Sequence, residues 1–120
     1  MAQAIDMRRY LRVPVERPVY VTTPADGLRS RAIWSHELGE GGCLLVGDTF
    51  FGVGRILVVD IVLDGRRPVR AIGKVLYEYR DLTTRVCSGV EFQFIEGEHL
   101  DNLRCYISMR LPAERSYATA

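Results

Sequence analysis

The sequence contains a single lysine, no long apolar run and no clear excess of charge of either sign. Its 120 residues include 15 arginines and only Lys74, and these 16 basic residues nearly balance 15 acidic ones. A formal charge of +1 argues against a protein that coats a nucleic-acid polymer, because such binding relies on excess positive charge. No segment approaches the roughly 20 consecutive apolar residues of a membrane-spanning helix, so we expect no membrane insertion.

Features of exported and metal-binding proteins are also missing. The first ten residues contain no apolar core of a secretion signal. The three cysteines, Cys43, Cys87 and Cys105, show no C-x-x-C spacing, and we interpret them as small apolar side chains in a reducing compartment. Only His36 and His99 could join them at a metal, and they form no helical pair. We therefore expect a cytoplasmic protein without a metal site.

Catalytic groupings are equally scarce. His36 is followed at once by Glu37, but adjacent residues on a strand point to opposite faces and cannot act as a pair. His99 has no matching cysteine or serine nearby in the sequence, so a catalytic triad would need residues from distant segments. We predict that the protein is not an enzyme.

The length is sufficient for one domain, and 48% hydrophobic with 26% charged residues is typical of a folded globular chain. Most segments alternate with the period of two expected for strands. The predicted strands cover residues 13–22, 28–36, 43–46, 54–64, 66–79 and 84–95. After Gly97 the period changes to about 3.6, with a stripe of Leu100, Leu103, Ile107 and Leu111. We predict a mainly β fold, a small six-stranded antiparallel barrel that a C-terminal helix plugs or caps.

Three regions follow from this pattern. We expect residues 1–12 to form a flexible, arginine-bearing lead-in, residues 13–112 to form the barrel and its helix, and residues 113–120 to form a tail.

The first candidate site is the arginine cluster in the lead-in. Arg8, Arg9 and Arg12 could bind phosphates, because each guanidinium offers paired donors to anionic oxygens, and they could stack on a planar base. The alternative is a solvated basic segment that Asp6 and Glu16 balance.

The second candidate site is the glycine-rich segment that follows Glu37. Gly39, Gly41 and Gly42 could adopt positive φ and let the backbone approach a ligand closely. Their N–H groups could also bind an anion or a base carbonyl. A tight turn between two strands is the alternative explanation of the same glycines.

These two segments, in this order on this strand plan, resemble the PilZ domain, the bacterial receptor module for cyclic diguanylate (cyclic di-GMP). Members of that family carry an R-x-x-x-R stretch ahead of the first barrel strand. Arg8 and Arg12 match it, and Arg9 corresponds to a common extra arginine.

The family's second motif, [D/N]-x-S-x-x-G, is matched in spacing by Glu37, Gly39 and Gly42, and a Gly-aliphatic-x-Phe strand is matched by residues 89–92. The second motif is degenerate. Glu37 keeps a carboxylate that is one methylene longer than that of aspartate, and Gly39 lacks the serine hydroxyl. A lost hydrogen bond to a ligand typically costs about 0.5–1.5 kcal/mol.

The resemblance implies a non-catalytic cyclic di-GMP receptor or adaptor with no other cofactor. In the family, the arginines engage phosphates and stack on guanine, and the residues of the second motif hydrogen-bond a guanine or lie against the ligand. The expected ligand-binding residues are Arg8, Arg9, Arg12, Glu37, Gly39, Gly41 and Gly42. The lead-in is expected to order around the dinucleotide and to signal to a partner protein in motility or biofilm regulation.

Two other functions remain open. A degenerate PilZ domain could have lost nucleotide binding and act as a protein-interaction adaptor in type IV pilus or flagellar motility. A small barrel that binds nucleic acid is less well supported, because the charge is balanced and the aromatic residues are scattered. Trp34 is expected in the core or at its rim. The pair Phe50 and Phe51 is expected to fold back onto the barrel, with a partner contact as the alternative.

Overall fold

A computed structural model describes residues 12–25, 27–29 and 33–110 of the chain. Within these residues the chain forms eight strands followed by one helix. The elements are β1 (Arg12–Pro14), β2 (Pro18–Thr23), β3 (Leu28–Arg29), β4 (Ile33–Gly39), β5 (Gly42–Gly47), β6 (Ile56–Ile61), β7 (Val69–Arg80), β8 (Val86–Phe94) and α1 (Gly97–Ser108).

Six antiparallel strands close into a barrel in the order β4-β5-β8-β7-β6-β2. The closure is the pairing of β2 with β4, in which Pro18 lies opposite Trp34 and Val19 lies opposite Ile33. Closing the sheet leaves no free edge among these six strands. The short strands β1 and β3 add to β4 and β2, respectively. The predicted fold class, a six-stranded antiparallel barrel with a C-terminal helix, is confirmed.

The strand predicted over residues 13–22 is divided into β1 and β2, and Ser35 bridges the break. The Ser35 hydroxyl accepts the N–H of Arg17 at 3.0 Å and donates to the carbonyl of Val15. On β4, the pairing register shifts between Ser35 and Glu37, as at a β-bulge. The buried hydroxyl thus satisfies backbone groups of Val15 and Arg17, the residues that connect β1 to β2. The prediction of one continuous strand was wrong at this point.

Alternating side chains fill the barrel. Leu57, Val59 and Ile61 of β6 are fully buried, as their alternation predicts. Leu103 and Ile107 of α1 are also buried. Through this apolar stripe the helix packs into the core of the barrel.

The stripe on α1 includes one residue that the periodicity did not identify. Tyr106 is 1% exposed, and its ring is covered by the Arg110 guanidinium at 3.8 Å from the ring centre. Leu100 is only half-buried, and Leu111 lies outside the described residues. An aromatic ring can belong to the core while its hydroxyl reaches a polar partner at the rim.

The hairpin between β6 and β7 fixes the position of α1. The Tyr106 hydroxyl donates to Asp64 at 2.6 Å, and Arg110 Nη2 lies 2.8 and 2.9 Å from the two carboxylate oxygens of Asp64. Asn102 accepts a hydrogen bond from Arg66 at 3.2 Å and donates to the carbonyl of Arg67 at 2.9 Å. The helix is therefore held by polar contacts at its rim as well as by its buried stripe.

The burial of several side chains can be compared with the expected burial. Trp34, expected in the core or at its rim, is 44% exposed on the outside of β4, because its neighbours on the strand point inward. Cys43 and Cys87 are buried as expected, whereas Cys105 is exposed. Phe51 packs against the core.

The neighbouring Phe50 is 47% exposed, with the Arg80 guanidinium 5.1 Å from its ring centre. The loop that carries both phenylalanines is tied to β7, because the N–H groups of Phe51 and Gly52 donate to the Glu78 carboxylate at 2.9 and 3.0 Å.

The substitution Asp64→Asn is expected to weaken the attachment of α1 in a pH-dependent way. The hydrogen bond from Tyr106 lowers the pKa of Asp64 below its ordinary value of 3.8. A carboxyl group with a lowered pKa stabilises the fold above its unfolded pKa, and that stabilisation is lost as the pH falls through the folded pKa.

Thermal unfolding should therefore show a lower Tm for Asp64→Asn than for the wild type at neutral pH, with a difference that shrinks below pH 3.8. Asp101→Asn, at an exposed position of the same helix, is the matched control. A Tm difference that is equally large at neutral and at strongly acidic pH would contradict this role of Asp64.

Candidate functional site

The pairing of β1 with β4 brings the two sequence motifs together. Arg12 lies opposite Gly39, Val13 opposite Leu38, and Pro14 opposite Glu37. Arg12 Nη1 is 3.7 Å from Glu37 Oε1, and the two side chains are 23% and 44% exposed. An ion pair of this length and exposure contributes little stability. The guanidinium and the carboxylate therefore lie side by side on the barrel surface and attract each other only weakly.

The glycine-rich segment forms the tight hairpin between β4 and β5. The carbonyl of Gly41 accepts the N–H of Phe92 at 2.8 Å. A Cβ atom added to Gly42 would lie 2.1 Å from the carbonyl oxygen of Val90. Glycine is required at position 42 because β8 approaches it too closely for any side chain.

The expectation of positive φ is wrong for Gly42, whose φ lies outside the left-handed region. Described glycines with positive φ lie in other turns and loops, at Gly27, Gly52, Gly54 and Gly65. The Gly42 backbone is shaped by strand packing, not by a left-handed turn.

A row of paired positions crosses the outside of the barrel from this hairpin. Glu37 of β4 lies opposite Leu44 of β5, Leu44 opposite Gly89 of β8, and Gly89 opposite Tyr77 of β7. Leu44 is only 7% exposed, and Gly89 has no side chain. Between Glu37 and Tyr77 this row therefore carries no charged or polar side chain.

The adjacent row carries charge at its far end. Gly42 lies opposite Glu91, and Glu91 lies opposite Lys74. On this row the hairpin glycines thus separate Arg12 from two paired positions of opposite charge, Glu91 and Lys74.

An ion pair connects the hairpin to the helix. Arg104 Nε of α1 donates to Glu40 Oε1 at 2.8 Å. Glu40 lies between Gly39 and Gly41, so a displacement of the hairpin would change or break its contact with Arg104 of α1. The sequence analysis did not identify this contact, because nothing in the spacing relates residue 40 to residue 104.

Cys43 lies directly behind the site and faces the core. Burial raises the pKa of its thiol to about 12, and the charge of Arg12 only partly opposes this shift. The thiol is therefore protonated at neutral pH, and Cys43 acts as a packing residue.

The remaining candidate residues make structural contacts. His99 Nδ1 accepts the N–H of Arg70 at 3.3 Å, and the Cys105 sulfur accepts from Arg66 Nη2 at 3.0 Å. Across residues 12–25, 27–29 and 33–110, the structure contains no group of three His, Cys, Asp or Glu side chains arranged for a metal ion. No helix in this part of the chain has the length and apolar character needed to cross a membrane. Arg8 and Arg9 lie outside the described residues.

Solved structures share this barrel and its helix. The Bacillus subtilis inhibitor of motility, MotI/DgrA, superposes with a TM-score of 0.76 at 20% identity, over 86% of this chain and 50% of that one. Escherichia coli YcgR in complex with c-di-GMP gives a TM-score of 0.70 at 17% identity, over 93% of this chain and 48% of that one. The chain thus spans about half the length of these two proteins. The isolated PilZ domain of YcgR with c-di-GMP gives a TM-score of 0.68 at 15% identity, over 93% and 97% of the two chains.

Structural similarity at 20% identity or less shows a shared fold, whereas a sequence match identifies the family. The family model of the PilZ domain matches residues 6–108, and the chain therefore belongs to the PilZ domain family. No curated protein sequence matches it.

The substitution Gly42→Ala is expected to destabilise the barrel. The added methyl group would meet backbone, at 2.1 Å from the Val90 oxygen, so β5 and β8 would have to move apart. Overpacking of this kind costs about 1–3 kcal/mol or more, which urea unfolding would detect as a lower midpoint.

Gly97→Ala is the control, because no atom lies within 4 Å of an added Cβ at that position. Equal unfolding midpoints for the two variants would show that β8 does not constrain the hairpin.

Proposed function

We propose that this protein is a non-catalytic receptor for cyclic di-GMP that orders its arginine-bearing N-terminal segment around the ligand. The observation that carries the proposal is the pairing of β1 with β4, which sets Arg12 beside Glu37 and opposite Gly39. Membership of the PilZ domain family supports it, as do the c-di-GMP complexes of the similar YcgR structures.

The chemistry of the site suits a ligand that carries both phosphates and purine bases. The guanidinium of Arg12 can donate two parallel hydrogen bonds to a phosphate. Its present partner, Glu37, is 3.7 Å away and half-exposed, so a doubly charged ligand can take its place. Glu37 is then available to accept hydrogen bonds from the N–H groups of a guanine.

The same surface lies within reach of the other two arginines of the first motif. Arg9 and Arg8 precede Arg12 by three and four residues, and an extended chain spans at most about 3.3–3.6 Å per residue. We propose that their guanidiniums close over the dinucleotide from the side of β1. The backbone of Gly39, Gly41 and Gly42 would form the surface against which the ligand lies.

Ordering of the N-terminal segment would change the surface that the domain presents, which is a known way of passing a signal to another molecule. We propose a partner protein as the recipient, in the cytoplasm. The similarity to an inhibitor of motility supports motility as the regulated process.

A second function is favoured by one specific feature of the site. Gly39 supplies no hydroxyl group and Glu37 is longer than the family's aspartate, so two hydrogen bonds to guanine are weakened or missing. The protein would then act as an adaptor that recognises its partner without nucleotide, in pilus or flagellar motility. Capture of a partner that is unaffected by cyclic di-GMP, together with a failed ligand titration, would favour this second function.

The substitution Arg12→Ala should weaken binding of cyclic di-GMP by about tenfold to a hundredfold. A hydrogen bond to a charged group contributes about 1.5–3 kcal/mol, and 1.4 kcal/mol corresponds to about a tenfold change in affinity. Isothermal titration calorimetry of the wild type and the variant measures this change.

Arg85→Ala, in the exposed turn between β7 and β8, is the matched control and should bind as the wild type does. No saturable heat with the wild-type protein would contradict the receptor function.

Restoring the family's second motif should strengthen binding. In the double substitution Glu37→Asp with Gly39→Ser, the shorter carboxylate and the added hydroxyl each supply a hydrogen bond worth about 0.5–1.5 kcal/mol. We expect a severalfold to tenfold gain in affinity for each, measured by the same titration. A double variant that binds no better than the wild type would show that these two positions do not limit the affinity.

A further inference from the structure

We propose that Tyr77 and Tyr79 form a stacking platform for the second purine base of the ligand, at the opposite end of the surface that begins at Arg12 and Glu37. This inference rests on the proposed receptor function and adds a subsite to it. The family motifs do not include either tyrosine.

The rings of Tyr77 and Tyr79 are neighbouring, nearly parallel and partly exposed. Tyr77 and Tyr79 are 40% and 47% exposed. Their ring planes differ by 12° and their centres lie 6.2 Å apart. Two nearly parallel aromatic rings on a strand present the kind of surface on which nucleic-acid bases stack, irrespective of base identity.

The position of the Tyr77 ring is fixed by the strand beside it. A Cβ atom added to Gly89 would lie 2.2 Å from Cζ of Tyr77, so the ring lies across the backbone of β8 at the one position there that has no side chain. The ring therefore leans from β7 toward β5 and Leu44. This orientation narrows the distance between the tyrosine and the glycine-rich hairpin.

The platform and the first site belong to one continuous surface. Glu37, Leu44, Gly89 and Tyr77 are successive partners across four strands. Adjacent strands lie about 4.8 Å apart, so β4 and β7 are separated by about 14 Å. Between the two ends this row contains Leu44, which is 7% exposed, and Gly89, which the Tyr77 ring covers.

Electrostatics agree with this proximity. Burial and the neighbouring Cys87 raise the pKa of Tyr79, and the charge of Glu37 acts in the same direction. Glu37 contributes less to this shift than burial and Cys87 do.

The charged and aromatic side chains of this surface indicate which kind of ligand it would bind. Arg12 stands at one end, the rings stand at the other, and Lys74 lies on β7 three residues before Tyr77. A ligand with two planar bases joined by phosphates matches both ends at once, whereas a single nucleotide would engage only one. Protein partners that insert an apolar side chain would not require the positive charge.

The test compares the affinity of the full chain for cyclic di-GMP in Tyr77→Ala, Tyr79→Ala and Tyr77→Phe. Removal of a stacking ring should weaken binding by about five- to a hundredfold. Tyr77→Phe keeps the ring and should bind within about twofold of the wild type. Arg67→Ala, at an exposed position between β6 and β7, is the control for a substitution outside the surface.

A second measurement detects the stacking in the wild-type complex itself. In the wild-type complex, the guanine H8 proton of a base stacked on a ring should move upfield in the ¹H spectrum, and this shift should disappear in Tyr79→Ala. If the wild type binds and the alanine variants bind equally well, the platform is wrong and the receptor function stands.

Loss of affinity in Tyr77→Phe that matches the loss in Tyr77→Ala would assign the effect to the hydroxyl group and overturn stacking. If the wild type does not bind at all, both the receptor function and the platform are wrong.

Discussion

The antiparallel pairing of β1 with β4 sets the geometry of the whole candidate site. Val13 and Leu38 pair with each other and are 2% and 0% exposed, and burial of an aliphatic side chain of this size contributes about 1.5–3 kcal/mol. Because side chains alternate along a strand, anchoring Val13 in the core obliges Arg12 to lie outside, beside Glu37. The apolar core of the barrel thus holds the arginine of the first motif against the second motif.

Much of the fold could be predicted from the sequence, because a half-buried strand leaves a period of two in the residues that it buries. The face formed by Leu57, Val59 and Ile61 is such a case. The break between β1 and β2 could not be predicted, since the hydroxyl that binds its backbone groups belongs to Ser35, on a different strand. The burial of Tyr106 likewise depends on Asp64, a partner supplied by a distant hairpin.

The candidate site was predictable only as far as its motifs extend. The resemblance to the PilZ motifs placed Arg12 and Glu37 in one site, and in the structure Arg12 Nη1 lies 3.7 Å from Glu37 Oε1. The role of Gly42 is different from the expected one, because close approach of β8, and not positive φ, demands glycine there. Tyr77 could not be recognised, since its place over Gly89 follows from the register of β7 and β8, which shifts between Val75 and Tyr77.

Chemical-shift mapping by NMR tests most directly whether the β1–β4 junction is where a dinucleotide binds. On addition of cyclic di-GMP to the ¹⁵N-labelled chain, saturable shifts should concentrate on the backbone amides of Arg12, Gly39 and Gly42. The amides of Gly65 and Gly97, in the β6–β7 turn and at the start of α1, should remain unchanged. An unaltered spectrum, or shifts confined to Gly65 and Gly97, would contradict the assignment of this junction as the ligand site.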